Sequence, residues 1–76
     1  MREKILEVLQ DIRPDIDFEN ETGLITEGIL ESFDLLTIIA SLEEAVGIEI
    51  DPANMSADNF DSLAAIIAMV ERIQNA

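Results

Sequence analysis

The chain has 76 residues, with 17 Asp and Glu against 4 Lys and Arg, a formal net charge of −13, and no Cys, His, Trp or Tyr. A chain this short reads as one domain, residues 1–76, which buries only about 60% of the surface its unfolded form exposes and has little room for an enclosed active site. Without thiol or imidazole there is no disulfide framework, zinc–thiolate site, thiol nucleophile or imidazole base, so catalysis by its own side chains is not expected.

The first element in chain order is a helix in which Ile5, Leu6, Val8, Leu9 and Ile12 recur at helical spacing, and Pro14 makes Arg13 its end. From Pro14 to Glu31 no period is sustained. Gly23 and Gly28 interrupt a long ordered loop whose Ile16, Phe18, Leu24, Ile25, Ile29 and Leu30 are apolar enough to pin it onto a core. The second helix runs from Ser32 through Val46, with Gly47 as its C-terminal cap. Ile48-Glu49-Ile50 alternates like a strand but has nothing to pair with, and reads as an extended connector. A brief helical turn is expected around Ser56 to Asn59. The last helix spans about Ser62 to Gln74, with Asp61 or Ser62 as N-cap and Leu63, Ile66, Ile67, Val70 and Ile73 as its buried stripe. The fold class is therefore all-α: a small bundle of three main helices plus one short helix, with a long loop between helices one and two.

Helix two is apolar on two sides. Leu35, Ile38, Ile39, Leu42 and Val46 form one stripe, as a core face requires. Phe33, Leu36 and Ala40 lie off that stripe by roughly 100 to 160° at 100° per residue, bordered by Thr37, Glu43 and Glu44. An exposed apolar strip rimmed with acid suits a protein-binding face. The competing expectation is that the long loop covers the strip through Leu24 or Ile29, with Phe33 partly covered.

The charge is unevenly placed. The bases are Arg2, Lys4, Arg13 and Arg72 alone, and none lies between Pro14 and Glu71. Phosphate binding rests on Lys and Arg, so nucleic acid is not a partner, and a basic protein surface is. The start of the chain lacks the pattern of a signal peptide, and no apolar run approaches the roughly 20 residues of a membrane helix. A soluble, cytoplasmic protein is the expectation, working as a monomer and away from membranes.

At the start of helix two stands Gly28-Ile29-Leu30-Glu31-Ser32-Phe33-Asp34, and at its end Ser41-Leu42-Glu43-Glu44-Ala45-Val46-Gly47-Ile48-Glu49-Ile50. A serine at a helix start is by itself usually a cap or a first-turn residue, or a site that another enzyme modifies. In its length, acidity, architecture and these two runs, nearly the whole chain resembles the acyl carrier protein family. The resemblance implies that Ser32 carries 4′-phosphopantetheine, donated by coenzyme A through a phosphopantetheinyl transferase, and that the chain holds acyl intermediates as thioesters. It assigns Glu31, Phe33, Asp34, Leu36, Ala40, Glu43 and Glu44 to a surface met by acyl-transferring, condensing or acyl-activating enzymes with basic surfaces. Glu31 replaces the family's usual Asp, and Thr37 stands where many fatty-acid carriers have Glu; Phe33 also occurs in relatives that carry other groups, aminoacyl groups among them. Fatty acyl, polyketide and aminoacyl cargoes all fit.

Asp61-Ser62-Leu63 copies the family's commonest attachment tripeptide more closely than Glu31-Ser32-Phe33 does. Its position, opening the last and acid-poor helix, and its explanation by capping alone set it aside. The acids Asp15, Asp17, Glu19 and Glu21 alternate as in a calcium loop, but Asn20 stands where Gly is needed and Thr26 where the bidentate Glu belongs, so no metal site is expected. The rival to the carrier reading is an unmodified acidic helical adaptor that binds a basic partner through helix two.

Overall fold

In the computed structural model, which describes residues 2–76, three amphipathic helices and one short helix enclose a single apolar core. The elements are α1 (Arg2–Ile12), α2 (Ser32–Val46), a 3-10 turn (Pro52–Asn54), α3 (Ala57–Phe60) and α4 (Leu63–Gln74). The all-α expectation holds, and the 3-10 turn is an addition to it. Proline's fixed φ and missing N–H suit the first position of that turn. Among the described residues, sheet-like pairing is confined to one antiparallel bridge between Thr22 and Ser62, and Ile48-Glu49-Ile50 forms the unpaired connector expected of it.

Local chemistry sets the helix borders. Glu31 stands in extended conformation before α2, and its N–H donates to Asp34 Oδ2 at 3.2 Å, which satisfies a donor at the helix entrance. At the other end Gly47 adopts a left-handed conformation, φ 73°, and its N–H reaches the Glu43 carbonyl at 3.0 Å. A side chain there would strain the backbone, hence glycine. The Glu43 carboxylate accepts the Ile50 N–H at 2.8 Å and so turns the connector back along the helix that it has just left.

The core is assembled from all four helices, the connector and the long loop. Ile5 and Leu9 of α1, Ile38, Ile39 and Leu42 of α2, Ile50 of the connector, Phe60 of α3, and Leu63, Ile66, Met69 and Val70 of α4 are buried. Burial of each such side chain contributes about 1.5–3 kcal/mol before the cost of ordering it. The loop from Pro14 to Glu31 supplies Ile16, Phe18, Leu24 and Leu30, all buried, so it is part of the core and not a covering strap. Ile25 and Ile29 pack at its edge. In α4 the buried stripe differs from the expected one: Met69 is fully buried, while Ile67 and Ile73 lie at the margin. That helix is apolar around most of its circumference, and the neighbours it meets choose the innermost side.

Two seams close the molecule. Near one end, Arg13 at the close of α1 pairs with Asp34 in the first turn of α2. At the other, the α3–α4 junction holds the long loop: Leu24 N–H donates to the Asp61 carbonyl at 2.8 Å, and the Asp61 carboxylate accepts Ile25 N–H at 2.9 Å and Thr26 N–H at 3.0 Å.

Candidate functional site

Ser32 is the first residue of α2 and is exposed, and its hydroxyl makes no hydrogen bond among the described residues. The first N–H groups of a helix lack intrahelical acceptors, and the aligned peptide dipoles place partial positive charge there. The partial positive charge of the helix end favours an anionic group attached through this oxygen. No side chain hydrogen-bonds to this hydroxyl as a base would among the described residues.

The strip beside the serine lies open. Phe33 is 77% and Leu36 66% exposed, the two largest values among the big apolar side chains, and Ala40 is exposed on the same helix. The expectation that the loop covers this strip through Leu24 or Ile29 is wrong: Leu24 is wholly buried in the core and Ile29 lies at its edge. Phe33 is not partly covered. The loop spends its apolar residues inward, which leaves none to fold over α2. Thr37, one turn from Phe33, donates its hydroxyl to the Phe33 carbonyl at 3.1 Å and adds no charge to the strip.

The four acids assigned to this surface have different surroundings. Glu31 and Glu44 are exposed. Glu43 is half-buried and holds Ile50 through its carboxylate. Asp34 is turned inward, its side chain 14% exposed, with Oδ2 2.5 Å from Arg13 Nη1. Arg13 Nε and Nη2 grip both oxygens of Asp15 at 3.0 and 2.9 Å, a bidentate pairing. Asp15 and then Asp34 hold the guanidinium proton more firmly than usual, and Arg13 in turn holds the Asp15 carboxyl below its ordinary range. A role for Arg13 was not foreseen from sequence. The available signal was its isolation, since a lone base beside so many acids is bound to pair with some of them.

The rival serine is occupied. Ser62 is the N-cap of α4 and its Oγ accepts the Ala65 N–H at 3.1 Å, while its neighbour Asp61 is committed to the loop. Hydrogen bonds from the Thr26 and then the Ile25 backbone hold the Asp61 carboxyl below its ordinary value of 3.8. A group depressed in this way adds stability at pH values above its unfolded-state value, and that stability is lost as pH falls through its folded-state value. Asp61→Ala should therefore be less stable than the parent at pH 7, with the gap closing on acidification below 3.8. Urea midpoints of the two chains across that range provide the measurement.

The alternating acids before Gly23 do not converge. Asp17 accepts from the Asn20 side-chain amide at 2.7 Å, Asp15 is paired with Arg13, and no group of metal-ligating side chains gathers among the described residues. No helix there is long and apolar enough to cross a membrane.

A small acidic bundle that offers the exposed, unbonded Ser32 hydroxyl at a helix head beside an open apolar strip, and no catalytic constellation among the described residues, has the form of a non-catalytic carrier protein. Residues 1–70 match the family described as phosphopantetheine attachment site, and the chain belongs to that family, whose members bear covalently attached 4′-phosphopantetheine. It is similar to D-alanyl carrier protein 1 of Lactiplantibacillus plantarum, 30% identical over 71 residues that cover 92% of this chain and 89% of the relative. D-alanyl carrier protein 2 of the same organism is 28% identical over 71 residues, with the same coverage. A D-alanyl carrier protein of Bacillus cereus is 28% identical over 75 residues, 96% of this chain and 95% of the relative.

Proposed function

We propose that Ser32 is the attachment serine and that the carrier conveys a small aminoacyl group, D-alanyl in the first instance. The exposed, unbonded hydroxyl at the head of α2 carries the first half of this reading; the near full-length likeness to D-alanyl carrier proteins supports the second. The arm supplies the thiol to which the cargo is joined as a thioester. The chain's own part is presentation. Phe33, Leu36 and Ala40 form the apolar centre of a docking face, and Glu31 and Glu44 the acidic rim. Glu43 and Asp34 shape the face from behind while adding to its negative field. Rim charges hasten encounter with a basic enzyme more than they deepen affinity, which suits a carrier that has to be released after each visit. The partners in this reading are a phosphopantetheinyl transferase and an enzyme that activates the amino acid, met by a monomer in the cytoplasm.

The test is direct. The apo-protein is incubated with coenzyme A and a broad-specificity phosphopantetheinyl transferase, and intact mass with peptide mapping locates the arm. One arm on the peptide holding Ser32 is the expected result. No gain in mass would leave the unmodified adaptor as the better reading, and an arm on Ser62 would sink the assignment. Incubating the arm-bearing carrier with ATP and a D-alanine-activating ligase, and separately with ATP, an acyl-activating ligase and short fatty acids, then decides the cargo: the ligase transfers the acyl group from its adenylate to the arm thiol and releases AMP.

The apolar strip gives a second expected outcome. Leu36 contributes little to the fold, so Leu36→Asp should change stability by no more than about 0.5 kcal/mol. Placed at the centre of the docking face, the same change should raise KM for the transferase by about tenfold or more, the scale of an interface anchor. Steady-state kinetics of arm transfer, beside a urea titration, separate the two effects.

A further inference from the structure

We infer that Arg13 is a positioning residue for the modification of Ser32, acting through Asp34; this rests on the assignment of Ser32 proposed above. Asp34 Oδ2 accepts from Arg13 Nη1 and also from the Glu31 N–H, at 2.5 and 3.2 Å. One oxygen thus joins the end of α1 to both flanks of the tripeptide Glu31-Ser32-Phe33. Arg13 itself is held on both sides. Its Nε and Nη2 engage Asp15, and its backbone N–H extends α1 by donating to the Leu9 carbonyl at 2.9 Å. The pair spans 21 positions of sequence and is only partly open to solvent, 27% for the Arg13 side chain and 14% for Asp34.

Without this contact the serine would sit in the most easily frayed part of a helix, where the first N–H groups have no intrahelical partners. Loss of Arg13 would also leave the Asp34 and Asp15 charges uncompensated, Asp34 beside Glu31, and their repulsion would open the same turn. A hydroxyl that wanders loses rate in a transfer that depends on in-place geometry, even when the docking face is untouched. Arg13 is thus expected to govern kcat, whereas the exposed Leu36 governs KM.

Arg13→Gln and Arg13→Lys are compared with the parent chain by arm-transfer kinetics and by backbone hydrogen exchange. For Arg13→Gln, kcat should fall by about tenfold or more with KM within about threefold. Exchange should rise by about tenfold at residues 31–35 and stay at the parent rate in Ile66 to Val70 of α4. Arg13→Lys, which keeps a cation within reach of Asp34, should restore most of both. Unchanged kcat, or exchange raised equally in α4, overturns the inference. Should Arg13→Gln not fold, Asp34→Asn, which keeps an acceptor for Glu31 N–H, takes its place with the same two readouts, and the same outcomes support or overturn the inference. The exchange arm needs no modification at all. An arm mapped away from Ser32 would therefore defeat the attachment assignment by itself, while exchange still reports whether Arg13 holds this turn.

Discussion

Alanine in place of either helix-opening serine should produce opposite results: Ser32→Ala loses all arm transfer and keeps its stability, whereas Ser62→Ala keeps transfer and loses stability. The reason lies in what each oxygen touches. Ser62 Oγ accepts the Ala65 N–H and satisfies one of the unpaired donors at the start of α4. Removal of such a cap costs about 1 kcal/mol, within a range of 0.5–2. Ser32 is exposed and its hydroxyl holds no partner among the described residues, so its loss should alter stability by less than about 0.5 kcal/mol. Intact mass after incubation with coenzyme A and transferase reads the first property, and urea unfolding the second. Transfer that persists in Ser32→Ala, or a cap effect appearing at Ser32 instead of Ser62, would reverse the roles given to the two residues.

The largest expected loss of stability comes from a residue outside every helix. Phe18 lies in the loop between α1 and α2, yet is 1% exposed. Phe18→Ala should cost about 3–5 kcal/mol, the transfer energy of the ring plus the cavity left behind. A domain of this length has a total stability of roughly 4–11 kcal/mol, so the variant should be near the edge of folding at room temperature. Phe33→Ala is the internal control. The same chemical change at a side chain 77% exposed should stay within about 0.5 kcal/mol. Denaturant midpoints of the two variants measure the contrast. A loss below about 1 kcal/mol in Phe18→Ala would mean that the loop is not part of the cooperative core.

These outcomes also mark how far the sequence could be read. The borders of α2 were legible because their causes are local: a left-handed position after Val46 requires Gly47, and an apolar period begins at Ser32. The cap at Ser62 was legible because capping is a local act as well. The inward use of Phe18 and Leu24 followed from their apolarity. The exposure of Phe33 was left undecided, because it depends on which way the loop turns Leu24 and Ile29. The two seams were not legible. Arg13 meets Asp34 across 21 positions, and Asp61 meets Ile25 and Thr26 across 36 and 35. Asp61 in particular looked like an N-cap, whereas its carboxylate faces the loop and Ser62 does the capping. Periodicity carries information over a turn or two of helix, and contacts of this span depend on how the finished elements face one another. In α4, apolar on most sides, the choice of Met69 over Ile67 and Ile73 for the deepest positions is of the same kind.

The Arg13 seam also governs how the molecule turns in an external field. Among the described residues Arg13 is occupied by Asp15 and Asp34, and Arg72 donates to Asn59 at 3.0 Å. Arg72 keeps its charge, because the Asn59 amide is neutral, and is exposed near the end of α4, while the exposed cations Arg2 and Lys4 both lie in the first turn of α1. Because the end of α1 is fastened to the beginning of α2, Arg2 and Lys4 lie about 16 Å, the length of an 11-residue helix, from the Ser32 end. The charge distribution is therefore lopsided as well as negative. On the reading proposed above, a cationic enzyme surface would repel the Arg2 and Lys4 end and turn it away before any atoms touch. That rotation acts within about 8 Å of the surface at physiological ionic strength and fades as salt shortens the range.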